Sequence, residues 1–213
     1  MTVALVAAFG VVAVVNWGAG QRRDRRLEAI TKVLATAILA AVAASAGDMS
    51  VGARTVLVVA VVLCLVGDVA LLGDSDERFV AGLGSFAAGH LAYVVTALLV
   101  GVSWPRALLA VPFLAVLFAF RFVSRIIPGA RRHGGGALAG AVVFYAAVIS
   151  AMVVTATGTP CWSAAAGAMV FAVSDWILGY NRFVQPIRRA QLVVMASYHV
   201  GQLLLILGLV AGA

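Results

Sequence analysis

The stretch FAVSDWILGY, residues 171–180, sets a single carboxylate inside a run that is otherwise soluble in lipid; CLVGDVALLG, residues 64–73, does the same around Asp68. Working outward from each acid, the apolar run continues over 162–180 and 54–73. Those lengths match the roughly 20 apolar residues that a helical membrane crossing requires. The whole chain follows the same pattern: of 213 residues, 64% are hydrophobic and 11% charged. That is too little polar surface for a soluble domain of this size. The fold class is all-α, a polytopic membrane protein. Long continuous runs exclude a β-barrel, whose strands alternate over about ten residues.

Eight transmembrane helices are expected, over 2–19, 29–46, 54–73, 79–102, 106–123, 136–157, 162–180 and 190–211, in one domain covering 1–213. The breaks are QRRDRRLE, GDMS, GDSDER, SWPR, SRIIPGARRHGGG, TGTP and NRFVQPIRR. Pro112 lies inside the fifth span and is expected to kink it. The first span has no basic residue before it and RRDRR after it, the reverse of a secretory signal, so it reads as a retained helix. Cys64 and Cys161 fall at different depths and are expected to be free thiols.

The net charge of +7 raises the question of nucleic acid, but the basic residues sit in short clusters between apolar runs. Alternate loops explain them better. Loops one, three, five and seven hold Arg22, Arg23, Arg25, Arg26, Arg78, Arg121, Arg125, Arg131, Arg132, Arg182, Arg188 and Arg189. The others hold only Arg54 and Arg106. By the positive-inside rule the odd loops are cytoplasmic and both termini face outward, as an even number of helices requires. The expected location is the cell (inner) membrane, with membrane lipids as surroundings and no nucleic-acid partner. An internal echo accompanies this: GDVALLG precedes Arg78-Phe79-Val80, SDWILGY precedes Arg182-Phe183-Val184, and each leads to a helix with His and Tyr. It fits a parallel four-plus-four repeat.

Helical rise converts position to depth. Asp68 and Asp175 each lie five residues before the cytoplasmic end of their spans, roughly 7–8 Å below the surface. Lys32 enters the second span at a similar level, and Asn16 occupies the inner third of the first. His90, Tyr93, Tyr198, His199 and Gln202 lie toward the midplane. A polar pocket open to the cytoplasmic leaflet is expected where these helices converge. An intramembrane Asp costs about 2.5–3.5 kcal/mol on insertion scales, which argues for a function. Plainer readings exist: either Asp can pair with Lys32 or cap a helix, Lys32 can snorkel, and the histidines and tyrosines can be core residues. Asp74, Asp76 and Glu77 read as a surface turn, and the runs Gly136–Gly140 and Ala164–Ala168 as helix contact faces.

Metal ligation has no support, since the three histidines lack ligand spacing and the cysteines are remote from them. No cofactor is implied. Ser174 has no GxSxG context for a nucleophile. Two carboxyls in low dielectric do not readily both ionise, and a pair of unlike protonation suits general acid–base hydrolysis.

GDVALL (67–72), GLGSFAAGHLAYV (82–94), GAMVFAVSD (167–175) and SYHVGQLLLI (197–206) resemble the YhhN-like lysoplasmalogenase family of eight-helix membrane proteins. The similarity runs through most of the chain. It implies hydrolysis of the vinyl ether bond of a lysoplasmalogen, releasing a fatty aldehyde and a glycerophospho-base, with Asp68 and Asp175 as the catalytic pair. The family's Lys-Pro pair is represented here by Lys32 followed by Val33. A lysophospholipid substrate would be contacted by Lys32 and Arg182 at its phosphate, with His90, Tyr93, Tyr198, Gln202 and Asn16 as further binding residues. The competing reading is a proton-linked transporter or flippase for a lipid-like substrate, which also uses intramembrane acids. A lipid-binding scaffold without chemistry leaves the two acids unexplained.

Overall fold

The computed structural model describes residues 2–73 and 75–213; Asp74 lies outside them. Among the described residues the secondary structure is helical throughout. The order is α1 Thr2–Arg22, α2 Arg25–Ala44, α3 Val51–Ala70, α4 Asp76–Val100, α5 Trp104–Ala107, α6 Ala110–Ala119, a π-helical turn Phe122–Ile126, α7 Ile127–Gly158, α8 Trp162–Phe183 and α9 Ala190–Ala211. Among the described residues seven helices are long and apolar enough to cross a membrane, with Trp104–Gly158 counted as one stretch among them.

The starts of these helices follow local chemistry. The Asp24 carboxylate accepts from the Leu27 amide at 3.0 Å. Ser50 and Ser75 do the same for Ala53 and Arg78, both at 3.3 Å. Each side chain satisfies an amide that the first turn leaves unpaired. Asp76 and Glu77 occupy the first turn of α4, where carboxylates suit the positive end of the helix dipole.

The fifth and sixth expected spans fall within Trp104–Gly158. This stretch doubles back, because the Ser103 amide donates to the Gly158 carbonyl at 2.9 Å. A straight helix of that length would part its ends by about 80 Å. The reversal sits at Arg121 (φ 65°), the π turn, and Gly134–Gly135, where Gly135 has φ 69°. Pro112 acts earlier than its own position: without an amide it cannot bond the Leu108 carbonyl, and the helix is interrupted at Leu108–Leu109, between α5 and α6. The segment expected as a long loop is largely helical, since Pro128 fits the first turn of α7.

The tightest contacts join α3 to α4 and α8 to α9. A Cβ on Gly167 would lie 2.2 Å from the Leu205 amide nitrogen, and one on Gly208 would lie 2.1 Å from that of Ala164. These glycines let the α8 and α9 backbones meet, so the Ala164–Ala168 run is a contact face. In the Gly136–Gly140 run the glycines have open space where a Cβ would stand, and the contacts are made by the buried Leu138 and Ala139 instead. Cys64 is buried against Gly89 of α4, whereas Cys161 precedes α8, half-buried; both are free.

Candidate active site

The GD and SD motifs each couple an acid to a packing residue. Gly67 makes room for the Phe86 ring, which a Cβ would approach to 2.7 Å. Ser174 donates to the Val194 carbonyl of α9 at 2.9 Å, tying α8 to α9 beside Asp175. Asp68 on α3 and Asp175 on α8, 107 residues apart in sequence, line one cavity of about 620 Å³.

Asp68 is buried to 1% exposure. Its Oδ2 accepts from Thr36 Oγ1 and from Tyr198 OH, both at 2.7 Å. Its Oδ1 lies 3.3 Å from Lys32 Nζ. Lys32 and Thr36 stand one turn apart on α2, so both reach the same carboxylate. Asp175 is half-buried and accepts from Tyr145 OH through Oδ2 at 2.6 Å.

Aromatic rings close the inner end. Tyr198 meets Phe86 and Phe171 edge-on at 5.9 and 5.2 Å, and His90 meets Phe171 and Tyr145 at 4.7 and 5.4 Å. Leu117, Phe118, Phe122 and Ile149 add apolar wall. Polar groups gather at the opposite end, where Glu28 accepts from Gln191 and Arg182 pairs with Asp76 at 2.6 Å. Arg182 also lies over the Phe79 ring at 4.0 Å.

The residues expected from sequence separate into two groups. Lys32, Asp68, Asp175, Arg182 and Tyr198 all line the cavity. His90, Tyr93 and Gln202 are fully buried behind its aromatic floor and do not line it. Asn16 joins α1 to α2 by donating to the Glu28 carbonyl at 2.9 Å and to Thr31 Oγ1 at 3.0 Å. His199 accepts from Trp17 Nε1 at 3.0 Å, which places any proton of the neutral ring on Nε2. Thr36, Tyr145, Trp176, Glu28 and Gln191 are site residues the sequence did not single out in these roles. Thr36 had one usable signal, its position four residues after Lys32. Among the described residues no group of His, Cys, Asp or Glu is arranged to hold a metal ion.

A model of the YhhN family matches residues 27–209. The chain belongs to the YhhN family. Its curated relatives include lysoplasmalogenase TMEM86B of Homo sapiens, 29% identical over 155 residues, or 70% of this chain and 60% of the relative. The Sus scrofa protein of that name is 31% identical over 147 residues, 66% of this chain and 57% of the relative. The Mus musculus protein is 28% identical over 164 residues, 73% and 64% respectively. This YhhN chain therefore aligns with less than two thirds of the length of each. No solved structure matches it.

Proposed function

We propose that this YhhN protein hydrolyses the vinyl ether bond of lysoplasmalogens by acid–base catalysis between Asp68 and Asp175. The observation that carries the reading is that both acids line one cavity, with apolar wall from Leu117, Phe118 and Ile149 and the charged groups Glu28 and Arg182 among its lining. The naming of its relatives as lysoplasmalogenases supports the same activity. A single-chain lysolipid suits such a space, with the alkenyl tail against Leu117, Phe118 and Ile149 and the phosphate toward Arg182 at the rim.

Vinyl ethers resist base and yield to acid, because protonating the β-carbon produces an oxocarbenium ion. One Asp donates that proton, and the other stabilises the cation and then activates water. The resulting hemiacetal separates into aldehyde and glycerophospho-base. Desolvation strengthens each of these electrostatic contributions.

The topology we propose has eight crossings, with Trp104–Gly158 supplying two, both termini outside and the cavity mouth at the cytoplasmic face. The fold-back at Ser103–Gly158 and the arginine distribution support it.

The test is incubation of the purified protein with a panel of lysophospholipids, scored for aldehyde and for fatty acid. Aldehyde from 1-alkenyl substrates alone is expected. Fatty acid from acyl substrates, or no product at all alongside substrate movement across liposomes, would overturn the hydrolase reading.

A further inference from the structure

We infer that the two acids have fixed and different roles: Asp175 is the proton donor and Asp68 the carboxylate that activates water, with Tyr145 positioning the first and Lys32, Thr36 and Tyr198 the second. This rests on the hydrolase reading above and divides its chemistry between the two groups.

The inference follows from what each oxygen accepts. Both Asp68 oxygens are engaged, Oδ2 by the Thr36 and Tyr198 hydroxyls at 2.7 Å and Oδ1 by the Lys32 ammonium at 3.3 Å. The Lys32 ammonium can only donate, and the two hydroxyls converge on the same carboxyl, so three donors face Asp68 and favour its ionised form. A proton on Asp68 would weaken its pairing with the Lys32 ammonium. Asp175 accepts one bond, from Tyr145 to Oδ2 at 2.6 Å. Among the described residues its Oδ1 has no donor, which leaves that oxygen able to carry a proton into the cavity. The half-burial of Asp175, against the near-complete burial of Asp68, puts the donor on the substrate side.

The assignment closes a balanced cycle. Asp175 gives its proton to the β-carbon as the π pair forms the new C–H bond, leaving an oxocarbenium ion and an Asp175 carboxylate. Water then bonds to the α-carbon while Asp68 takes its proton, giving the neutral hemiacetal. In the last step the hemiacetal hydroxyl returns a proton to Asp175 as the carbonyl forms. The bond to the glycerol oxygen breaks, and that oxygen takes the proton from Asp68. Both acids finish as they began, and one water has been consumed. During the step in which Asp68 is protonated, the Lys32 ammonium loses its counter-charge, which favours prompt return of the proton.

The experiment runs the reaction in D2O with wild type, Asp68→Asn and Asp175→Asn, trapping aldehyde by reduction as it forms and recovering unreacted substrate. Wild type is expected to place one deuterium beside the aldehyde carbon. Both variants are expected to lose turnover by about 10²–10⁴-fold. Asp68→Asn still protonates carbon, but the cation lacks activated water and reverts, so recovered substrate gains vinylic deuterium. Asp175→Asn leaves recovered substrate unlabelled. Labelling by Asp175→Asn but not Asp68→Asn would overturn the assignment, as would labelling by neither.

A second route leaves both carboxyls in place. Thr36→Val with Tyr198→Phe is expected to lower kcat and raise vinylic exchange above wild type, whereas Tyr145→Phe is expected to lower kcat about tenfold without added exchange. Identical exchange in the two would also overturn it. If wild type releases no aldehyde, the hydrolase reading itself falls, and that outcome is distinct from a reversed labelling pattern.

Discussion

Replacing Lys32 by Met tests the ion pair at the centre of the site. The Lys32 and Asp68 side chains are only 9% and 1% exposed, with Nζ and Oδ1 3.3 Å apart. At an effective dielectric near 20 the attraction is about 5 kcal/mol. Met fills similar volume but leaves Asp68 a buried carboxylate with hydroxyl donors only. Thr36 and Tyr198 retain part of its stabilisation, so a net loss of about 3–5 kcal/mol is expected, the range for breaking a buried pair from one side. At about 2–4 °C per kcal/mol this becomes a fall in Tm of roughly 6–20 °C. The assay is thermal unfolding in detergent, run as a double-mutant cycle with Asp68→Asn. Removing both charges leaves no uncompensated ion, so the double variant is expected to be more stable than Lys32→Met alone. Aldehyde release falls in both variants. A Tm for Lys32→Met within about 2 °C of wild type, or strictly additive effects in the cycle, would refute the reasoning, because the pair would then carry no coupling energy.

Three further predictions rest on other observations. Gly167→Ala and Gly208→Ala should each cost at least about 1–3 kcal/mol, since the new methyl meets backbone of the facing helix; Gly84→Ala, with open space at its Cβ, is the control that should unfold like wild type. Arg182→Gln should change Tm little, because its partner Asp76 is largely exposed and such a pair is worth about 0–1 kcal/mol, but it should raise KM for phosphate-bearing substrates over the matching alkenylglycerol; equal effects on both would remove Arg182 from the phosphate site. Cys161 should take up maleimide near neutral pH faster than an ordinary thiol, because Ser163 and the first-turn amides of α8 hold its pKa below the usual thiol range and enrich the thiolate. Cys64, enclosed between α3 and α4, should react only after denaturation; rapid labelling of two thiols in the folded protein would contradict the packing.

Sequence by itself determined the helical, apolar class of this protein and singled out Asp68 and Asp175. Continuous apolar runs cannot be satisfied outside a membrane, and a carboxylate inside such a run is costly enough to stand out from a composition as sparse as this one. The family resemblance rested on the same residues, and the match over 27–209 agrees with it. Which other side chains serve those acids was decided only by tertiary structure. Thr36 and Tyr145 are ordinary in a membrane helix, and apart from Thr36 standing four residues after Lys32 nothing along the chain marks them; they matter because the rotation of α2 and α7 aims their hydroxyls at Asp68 and Asp175. Position along each helix can be counted from helical rise, but the facing cannot. Tyr198 reaches the cavity while Gln202, one turn deeper on α9, lies behind the ring of Phe86, Phe171 and Tyr198. His90 is separated from the cavity in the same way, one turn beyond Phe86 on α4. Helical rise is a property of one chain segment and can be counted; the angle at which a helix is turned is set by the neighbours it packs against, at distances of many residues, and exists only once the bundle has formed.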